Sequence, residues 1–129
     1  MLTSGIYSIY NPHTNTIYIG QSVKTYTRIN SHKRKLKQNK HTNDDMQKEY
    51  NLTKGRGWIF KTLLLCELEE LRYFEQLLLN QALTKYPYVY NVIRNPFKDF
   101  EIYQQNRSLF YTETLGVEDP TLNRIQHLI

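Results

Sequence analysis

Five side chains of this 129-residue chain could together move protons and hold anions: Tyr7, Tyr18, Arg28, His32 and Glu75. Phenols and imidazoles exchange protons, a guanidinium binds oxyanions, and a carboxylate binds a proton or a metal ion. Arg28 and His32 are four residues apart, so on a helix they would lie on one face and reach toward the same point. The combination indicates a site rather than a set of unrelated surface residues.

Two short strands within residues 5–20 must position the tyrosines. Both runs are rich in β-branched and aromatic residues, and the segment between them contains Pro and Asn, which favour turns. If Asn11 pairs with Thr16, the loop has four residues and both tyrosines lie on one face, with Tyr18 opposite Ile9. A five-residue loop would place them on opposite faces, because a one-residue slip reverses every side chain. We expect the four-residue loop.

The first helix is predicted over residues 27–37, with Thr25 or Thr27 as a possible cap. Ile29 and Leu36 are seven residues apart and form an apolar stripe for packing. The outer face of this helix is basic and carries Lys33, Arg34, Lys35 and Lys37.

A second, short helix should follow a polar loop, with Asn43 as its N-cap and two aspartates in its first turn. It is expected to end near Lys54, because the next three residues, Gly55-Arg56-Gly57, break a helix. Residues 58–65 form an uninterrupted β-rich run, which predicts a third strand placed against the hairpin.

The longest helix is predicted over residues 67–83. Glu75 falls inside the apolar face of this helix, where an unpaired charge would be costly. Its partner could be Arg28, in a structural salt bridge, or a metal ion. The apolar face itself consists of Leu68, Leu71, Phe74, Leu78, Leu79 and Ala82.

The charge of the chain is unevenly distributed. Residues 1–96 hold 14 basic and 7 acidic side chains, whereas residues 97–129 hold 3 and 5. No acidic residue precedes Asp44, although seven basic residues do. An excess of positive charge in one part of a protein attracts polyanions, so the sequence predicts contact with nucleic acid.

Other features bound the class of protein. No apolar run reaches membrane-spanning length, and the N-terminus lacks the pattern of a secretory signal. The single cysteine, Cys66, cannot form an internal disulfide and suits a reducing compartment. We therefore expect a soluble cytoplasmic protein with no membrane partner.

The acidic C-terminal segment is predicted to hold a helix around residues 98–107 and another after Asp119-Pro120. Apolar residues recur at helical spacing on the final helix and must pack on their own domain or on another copy. We expect residues 97–129 to contribute to a homodimer. The apolar residues concerned are Leu122, Ile125, Leu128 and Ile129.

The tripeptides Gly5-Ile6-Tyr7 and Tyr18-Ile19-Gly20, followed by Arg28, His32, Glu75 and Asn91, resemble the pattern of the GIY-YIG nuclease family. The stretch Lys40-His41-Thr42-Asn43 further resembles the phage- and intron-encoded homing branch, as do Gln47 and Tyr50. The resemblance covers about residues 4–95. It implies an α+β fold with a small three-stranded antiparallel sheet flanked by helices. Residues 1–96 would form the nuclease domain and residues 97–129 a helical extension.

The resemblance implies a metal-dependent DNA endonuclease. Glu75 would hold one Mg²⁺ or Mn²⁺ and Arg28 would contact the scissile phosphate. Tyr7 or Tyr18 would position or deprotonate water, and His32 could relay that proton. The expected DNA-binding residues are Lys33, Arg34, Lys35, Lys40, His41, Asn43 and Asn91.

Two alternatives stay open at this stage. One is a DNA-binding module that uses the scaffold without cutting, and the other is a repair-type nicking nuclease. Homing enzymes carry separate DNA-binding modules after a long linker, whereas only about thirty residues follow the matched region here, with no zinc ligands. A restriction enzyme would need base-reading elements, for which Lys40–Asn43 and the tail are the candidates.

Overall fold

The computed structural model describes residues 1–92, 100–118, 125 and 127–129. The strands are β1 (Gly5–Asn11), β2 (Thr16–Ser22), β3 (Ile59–Leu65) and β4 (Tyr88–Val89). The helices are α1 (Thr25–Lys37), α2 (Asp44–Thr53), α3 (Leu71–Lys85) and α4 (Phe100–Leu109). A 3₁₀ turn, Leu68–Glu70, precedes α3, and a π-helical turn, Phe110–Thr114, follows α4.

The predicted hairpin is confirmed. Asn11 pairs with Thr16 and Ile9 with Tyr18, so the loop has four residues and the two tyrosines share one face. Two motif glycines are explained by close packing: a Cβ on Gly5 would lie 2.1 Å from the Leu64 carbonyl oxygen of β3. A Cβ on Gly20 would lie 2.4 Å from the ring of Tyr7. Only glycine leaves room for both approaches.

The prediction of three antiparallel strands was wrong in one respect, because the sheet has four strands in the order β3-β1-β2-β4. The third predicted strand does pair antiparallel with β1. The added strand, β4, has two residues and runs parallel to β2, pairing Tyr88 with Thr16 and Val89 with Ile17. Parallel pairing requires a long crossover, which α3 supplies, and such a short strand leaves no periodic signal in the sequence.

The helix caps follow the sequence in α2 but not in α1. Asn43 caps α2 by accepting a hydrogen bond from the Met46 backbone N–H, as predicted. The N-cap of α1 is Lys24, without a side-chain bond, so the expected threonine cap was wrong. Thr25 is instead buried, and its hydroxyl accepts a hydrogen bond from Thr62 of β3 at 3.0 Å.

The sheet separates two apolar clusters. On one face, Ile9 packs with residues of α1 and α2, among them Ile29, Leu36 and Met46. On the other face, α3 packs on the sheet through the apolar residues predicted for it, except Leu68, which is 58% exposed. Leu68 lies in the 3₁₀ turn, whose different period rotates it away from the core.

The C-terminal segment packs on this second cluster. The side chain of Ile125 is 1% exposed within it, and Leu128 and Ile129 pack against it. The predicted helix after Asp119-Pro120 falls largely outside the described residues. Across the described ranges, no helix combines the length and the apolar content needed to cross a membrane.

Candidate active site

The side-chain rings of two tyrosines and two histidines converge on the face of the hairpin that packs against α1 and α2. The centroids of Tyr7 and Tyr18 are 6.1 Å apart, and His32 lies 5.4 Å from Tyr7 and 5.7 Å from Tyr18. His41, from the loop before α2, stacks on His32 at 5.0 Å. Three of the five predicted chemical groups are therefore in ring contact, with a second imidazole beside them. The other two, Arg28 and Glu75, lie near enough to shift the pKa of Tyr18.

The local fold explains this convergence. The hairpin register places Tyr7 and Tyr18 on one face, and Gly20 of β2 leaves the space that the Tyr7 ring occupies. A β-bulge next to Tyr7 interrupts the pairing of β1 with β3, and bulges change the direction of a side chain. His32 lies on the buried face of α1, with 4% of its surface exposed.

A chain of hydrogen bonds fixes the tautomers of both histidines. The Asn43 backbone N–H can only donate, and it donates to His41 Nδ1 at 3.0 Å. The proton of a neutral His41 is therefore on Nε2, from which it is donated to His32 Nδ1 at 2.7 Å. The remaining nitrogen of His32, Nε2, then donates to the Tyr7 hydroxyl at 2.7 Å. Because Tyr7 accepts this bond, its own proton is free to be donated.

Burial and neighbouring cations keep the two imidazoles neutral. Burial, and then the Arg28 guanidinium, lower the pKa of His32 from its ordinary value to about 3. Burial also lowers the pKa of His41, with Lys35 as the next cause. Neither imidazole therefore carries a positive charge at neutral pH. This agrees with the hydrogen-bond chain, in which each ring has one donor and one acceptor nitrogen.

The two phenols differ in access to solvent. Tyr7 is 1% exposed, whereas Tyr18 is half-buried. Burial raises the pKa of both, and Arg28 opposes the rise at Tyr7. A hydrogen bond from Tyr7 lowers the pKa of Tyr18, because it stabilises the phenolate, while the charge of Glu75 raises it. Tyr18 is thus the phenol that a water molecule can reach.

Glu75 lies at the β2 edge of the sheet, on α3, and accepts a hydrogen bond from Gln21 at 3.4 Å. It is half-buried, and burial raises its pKa, whereas the Gln21 bond and the charge of Arg72 lower it. No ion pair joins Glu75 to Arg28, although both are among the described residues. Of the two partners left open for Glu75, the salt bridge to Arg28 is therefore absent, and Arg28 itself is exposed on α1.

A single carboxylate with one long hydrogen bond is a donor set that fits a hydrated divalent cation. Mg²⁺ keeps several waters and often takes only one or two carboxylates from the protein. Within the part of the chain that the structure describes, no group of three or more His, Cys, Asp or Glu side chains could form a closed metal cage. Glu75 therefore suits an open site better than a cage of protein ligands.

The predicted DNA-binding lysines and arginine lie on the outer side of α1 and just after it. Arg34 and Lys40 are exposed, and Lys35 is half-buried near the two histidines. The Lys33 ammonium lies over the Phe60 ring, 5.3 Å from its centroid.

The other three predicted DNA-binding residues are engaged inside the protein. Asn43 donates from Nδ2 to the Tyr90 carbonyl oxygen at 2.8 Å. Asn91 pairs with both backbone groups of Ile19, accepting at 3.0 Å and donating at 2.7 Å, so its amide continues the ladder beyond β4. His41 belongs to the imidazole chain. Contact of these residues with DNA stays a prediction.

Two features of the site were not predicted from the sequence. Gln21 is the hydrogen-bond partner of Glu75, and its position directly after the second motif tripeptide is the only signal it carries. The second feature is the bond between His41 and His32, nine residues apart in different elements. Gln47 supports it by accepting from the His41 backbone N–H at 3.0 Å.

The fold and the site together define a small α+β nuclease domain, with paired tyrosines on the sheet and a glutamate at its edge. In a comparison with known protein families, residues 3–87 match the GIY-YIG catalytic domain. The chain belongs to the GIY-YIG nuclease family, whose members are generally endonucleases that depend on a divalent metal ion. Searches of the curated proteins and of the solved structures returned no match.

Proposed function

We propose that this protein is a DNA endonuclease that hydrolyses phosphodiester bonds with the help of one divalent metal ion, Mg²⁺ or Mn²⁺. The observation that carries the proposal is the hydrogen-bond chain from Asn43 through His41 and His32 to Tyr7, beside the accessible Tyr18. A cluster that only stabilised the fold would not need every donor to be directed toward one accessible hydroxyl, that of Tyr18.

Tyr18 is the proposed general base. An ordinary phenol, with a pKa near 10, holds its proton too firmly to accept one from water at neutral pH. Burial raises the pKa of Tyr18 further, and the hydrogen bond from Tyr7 and the charge of Arg28 oppose that rise. A metal ion held by Glu75 would have to supply the rest of the lowering. His32 holds the Tyr7 oxygen so that the Tyr7 proton is directed toward Tyr18. As the Tyr18 phenolate forms, this proton stabilises it.

Arg28 and Glu75 are assigned to the phosphate. The exposed guanidinium of Arg28 would bind the scissile phosphate and offset the charge of its transition state. Glu75 would hold the metal ion, with Gln21 orienting its carboxylate. The bound ion would supply Lewis-acid stabilisation of the phosphoryl oxygens and of the departing oxygen.

The basic face of α1 is the proposed track for the DNA backbone. Lys33, Arg34 and Lys35 follow His32 directly, so a phosphate strand along α1 passes the tyrosine pair. Three consecutive cations contact phosphates without reading bases. Base reading, and with it a restriction or homing role, would fall to the loop around Lys40.

We also propose that two copies act together when both strands are cut, because one site with one metal-binding carboxylate cuts one strand at a time. Support comes from α4, where Ile102 and Leu109 are 60% and 51% exposed and seven residues apart, on one helical face. Phe110 continues this apolar surface at 52% exposure.

We propose that the protein acts inside the cell, because its cysteine is a free thiol. Cys66 is a buried free thiol, and burial raises its pKa to about 11. Such a thiol is protected from oxidation, and no disulfide contributes to the fold.

Cleavage of supercoiled plasmid tests the proposal directly. The full chain is incubated with Mg²⁺, with Mn²⁺ or with EDTA, beside Glu75→Ala and the control Glu69→Ala. Glu69 is an exposed glutamate just before α3. Metal-dependent nicking that only Glu75→Ala removes would support the proposal. DNA binding without nicking under any metal would instead establish a non-catalytic DNA-binding module.

A further inference from the structure

A cavity of about 350 Å³ lies on the face of the sheet opposite the tyrosine pair. It opens between the hairpin, β3, the end of α3 and the C-terminal residues. The side chains that matter to its chemistry are Ser8, Tyr10, Lys61, Lys85, Tyr86 and His127. Its volume falls within the range of small-molecule sites.

Ser8 presents an unsatisfied polar group at this cavity. It lies in the middle of β1, is 1% exposed, and its hydroxyl has no hydrogen-bond partner among the described residues. Buried hydroxyls are almost always hydrogen-bonded, and leaving one unpaired destabilises the folded state. A ligand that fills the cavity with a polar atom would supply the missing partner.

Lys61 gives the cavity its positive charge. It pairs directly with Ser8 across β1 and β3, so the two side chains lie next to each other on the same face. Lys61 is exposed and forms no ion pair within the described residues. Lys85 is already engaged, because its ammonium donates to the main-chain oxygen of Ile129. Among the residues that the structure describes, no Asp or Glu lines the cavity.

Two tyrosines give the cavity an aromatic wall. The ring centroids of Tyr10 and Tyr86 are 5.7 Å apart, with their planes inclined by 60°. The Tyr10 hydroxyl is held by Asn15 Oδ1 at 2.7 Å, so this ring is fixed in place. Apolar contact from Ile17 completes the wall. A planar ring bearing polar edges fits such a surface better than a bare anion does.

We propose that this cavity binds a nucleoside monophosphate group, either as a free mononucleotide or as the phosphorylated end of a DNA strand. The phosphate lies at Lys61, the base packs against Tyr10 and Tyr86, and a polar edge of the base bonds to the Ser8 hydroxyl. The site is separate from the nuclease centre, since Ser8 and Tyr7 point to opposite faces of β1.

Isothermal titration calorimetry with thymidine 5′-monophosphate tests this assignment. The Glu75→Ala full chain is used in EDTA, so that neither cleavage nor metal binding at Glu75 contributes. We expect one site with a dissociation constant below about 1 mM, and binding of thymidine or of inorganic phosphate weaker by about tenfold or more. Equal affinity for phosphate alone, or no binding of the nucleotide at millimolar concentration, would overturn the proposal.

Variants locate the binding. Lys61→Ala should weaken it by about tenfold, and Ser8→Ala by about three- to tenfold. The matched control is Lys48→Ala, an exposed lysine of α2, which does not line this cavity and should leave the affinity unchanged. An equal loss in Lys48→Ala would show that the nucleotide does not bind at Lys61 and would contradict the assignment. Thermal unfolding of each variant separates lost binding from lost folding.

Competition separates the two sources of the ligand. An oligonucleotide with a 5′-phosphate should displace the mononucleotide if the site holds strand ends, while its 5′-hydroxyl counterpart should not. Displacement by mononucleotides alone assigns the site to the free ligand. Since the test uses a chain that lacks Glu75, its result does not depend on whether the nuclease proposal succeeds.

Discussion

His32 Nδ1 and His41 Nε2 are 2.7 Å apart, and the bond between them orients the imidazole that contacts Tyr7. The direction of this bond is set by a backbone N–H, that of Asn43, which cannot accept a proton. A main-chain group that folds with α2 therefore determines the tautomer of a side chain on α1. Through that tautomer it determines which way the tyrosine protons point.

The first prediction concerns the two tyrosines. Tyr18→Phe should reduce the rate of cleavage by about 10²- to 10⁴-fold, the usual contribution of a general base. Tyr7→Phe should reduce it less, and the rising limb of the rate against pH should move to higher pH. The reason is that the Tyr7 hydrogen bond lowers the pKa of Tyr18, so its removal raises that pKa.

Single-turnover nicking of plasmid between about pH 6 and 10 measures both effects. Tyr50→Phe serves as a control, because this tyrosine packs edge-on against Trp58 and lies outside the imidazole chain. A Tyr7→Phe variant that loses more activity than Tyr18→Phe would make Tyr7 the base and contradict the assignment.

The second prediction concerns stability at acid pH. The unfolded chain protonates His32 near pH 6.5, whereas the folded chain resists protonation down to about pH 3. Between these values the unfolded state binds more protons, so the free energy of unfolding decreases as the pH falls. In this range His32 lowers the free energy of unfolding by at most about 1.4 kcal/mol for each unit that the pH falls. Above about pH 6.5 neither state binds this proton, so the free energy of unfolding no longer depends on His32 protonation.

Urea unfolding between about pH 4.5 and 7.5 would measure this slope. His32→Gln should show a flatter dependence than the unaltered chain, since glutamine does not titrate. Identical slopes in the two proteins would mean that His32 takes up its proton in the folded state as readily as in the unfolded state.

The third prediction concerns Gly20. A methyl group at this position would lie 2.4 Å from the Tyr7 ring, closer than any real contact, so the ring must move. Gly20→Ala should destabilise the protein by about 1–3 kcal/mol and reduce cleavage at least as much as Tyr7→Phe. Calorimetric melting and plasmid nicking measure the two effects. Full activity in Gly20→Ala would show that the observed position of Tyr7 is not needed for catalysis.

The fourth prediction concerns the basic face of α1. Replacing Lys33, Arg34 and Lys35 with glutamine should weaken binding to all DNA sequences alike. The slope of log affinity against log salt should decrease by up to about three, because each phosphate contact contributes about 0.9. Fluorescence anisotropy with the Glu75→Ala background measures binding without cleavage, with Lys48→Gln of α2 as a control. A loss restricted to one DNA sequence would show that this face reads bases.

The sequence was sufficient for the features that depend on local rules. Strand-forming residues and turn chemistry predicted the hairpin, and capping chemistry predicted Asn43 as the N-cap of α2. Loops of four and five residues both fit the sequence, and the expected four-residue loop, closed by Asn11 and Thr16, was confirmed.

Features that depend on distant packing were not predictable in this way. Strand β4 has two residues and pairs with β2 only after the chain has crossed by way of α3. For Glu75 the sequence left two partners open, Arg28 or a metal ion, whereas its hydrogen-bond partner in the structure is the neutral Gln21. The contact between His41 and His32 requires the positions of two helices, which residue spacing alone does not contain.

The last prediction concerns the C-terminal segment and tests the proposed homodimer. Ile125 is 1% exposed in the core cluster, so deletion of this region would unfold the domain as well as remove an interface. A surface variant, Ile102→Ser with Leu109→Ser, avoids this problem because both side chains lie on the exposed face of α4. The variant should keep the unfolding temperature of the unaltered chain but change its mass by light scattering from dimer to monomer. It should also lose double-strand cleavage while it retains nicking, since each copy keeps its own Glu75.

Ile125→Ala is the contrasting variant, expected to cost about 2–5 kcal/mol of stability because it leaves a cavity in the core. An unaltered chain that is monomeric at all accessible concentrations, both alone and on DNA, would remove the dimer proposal.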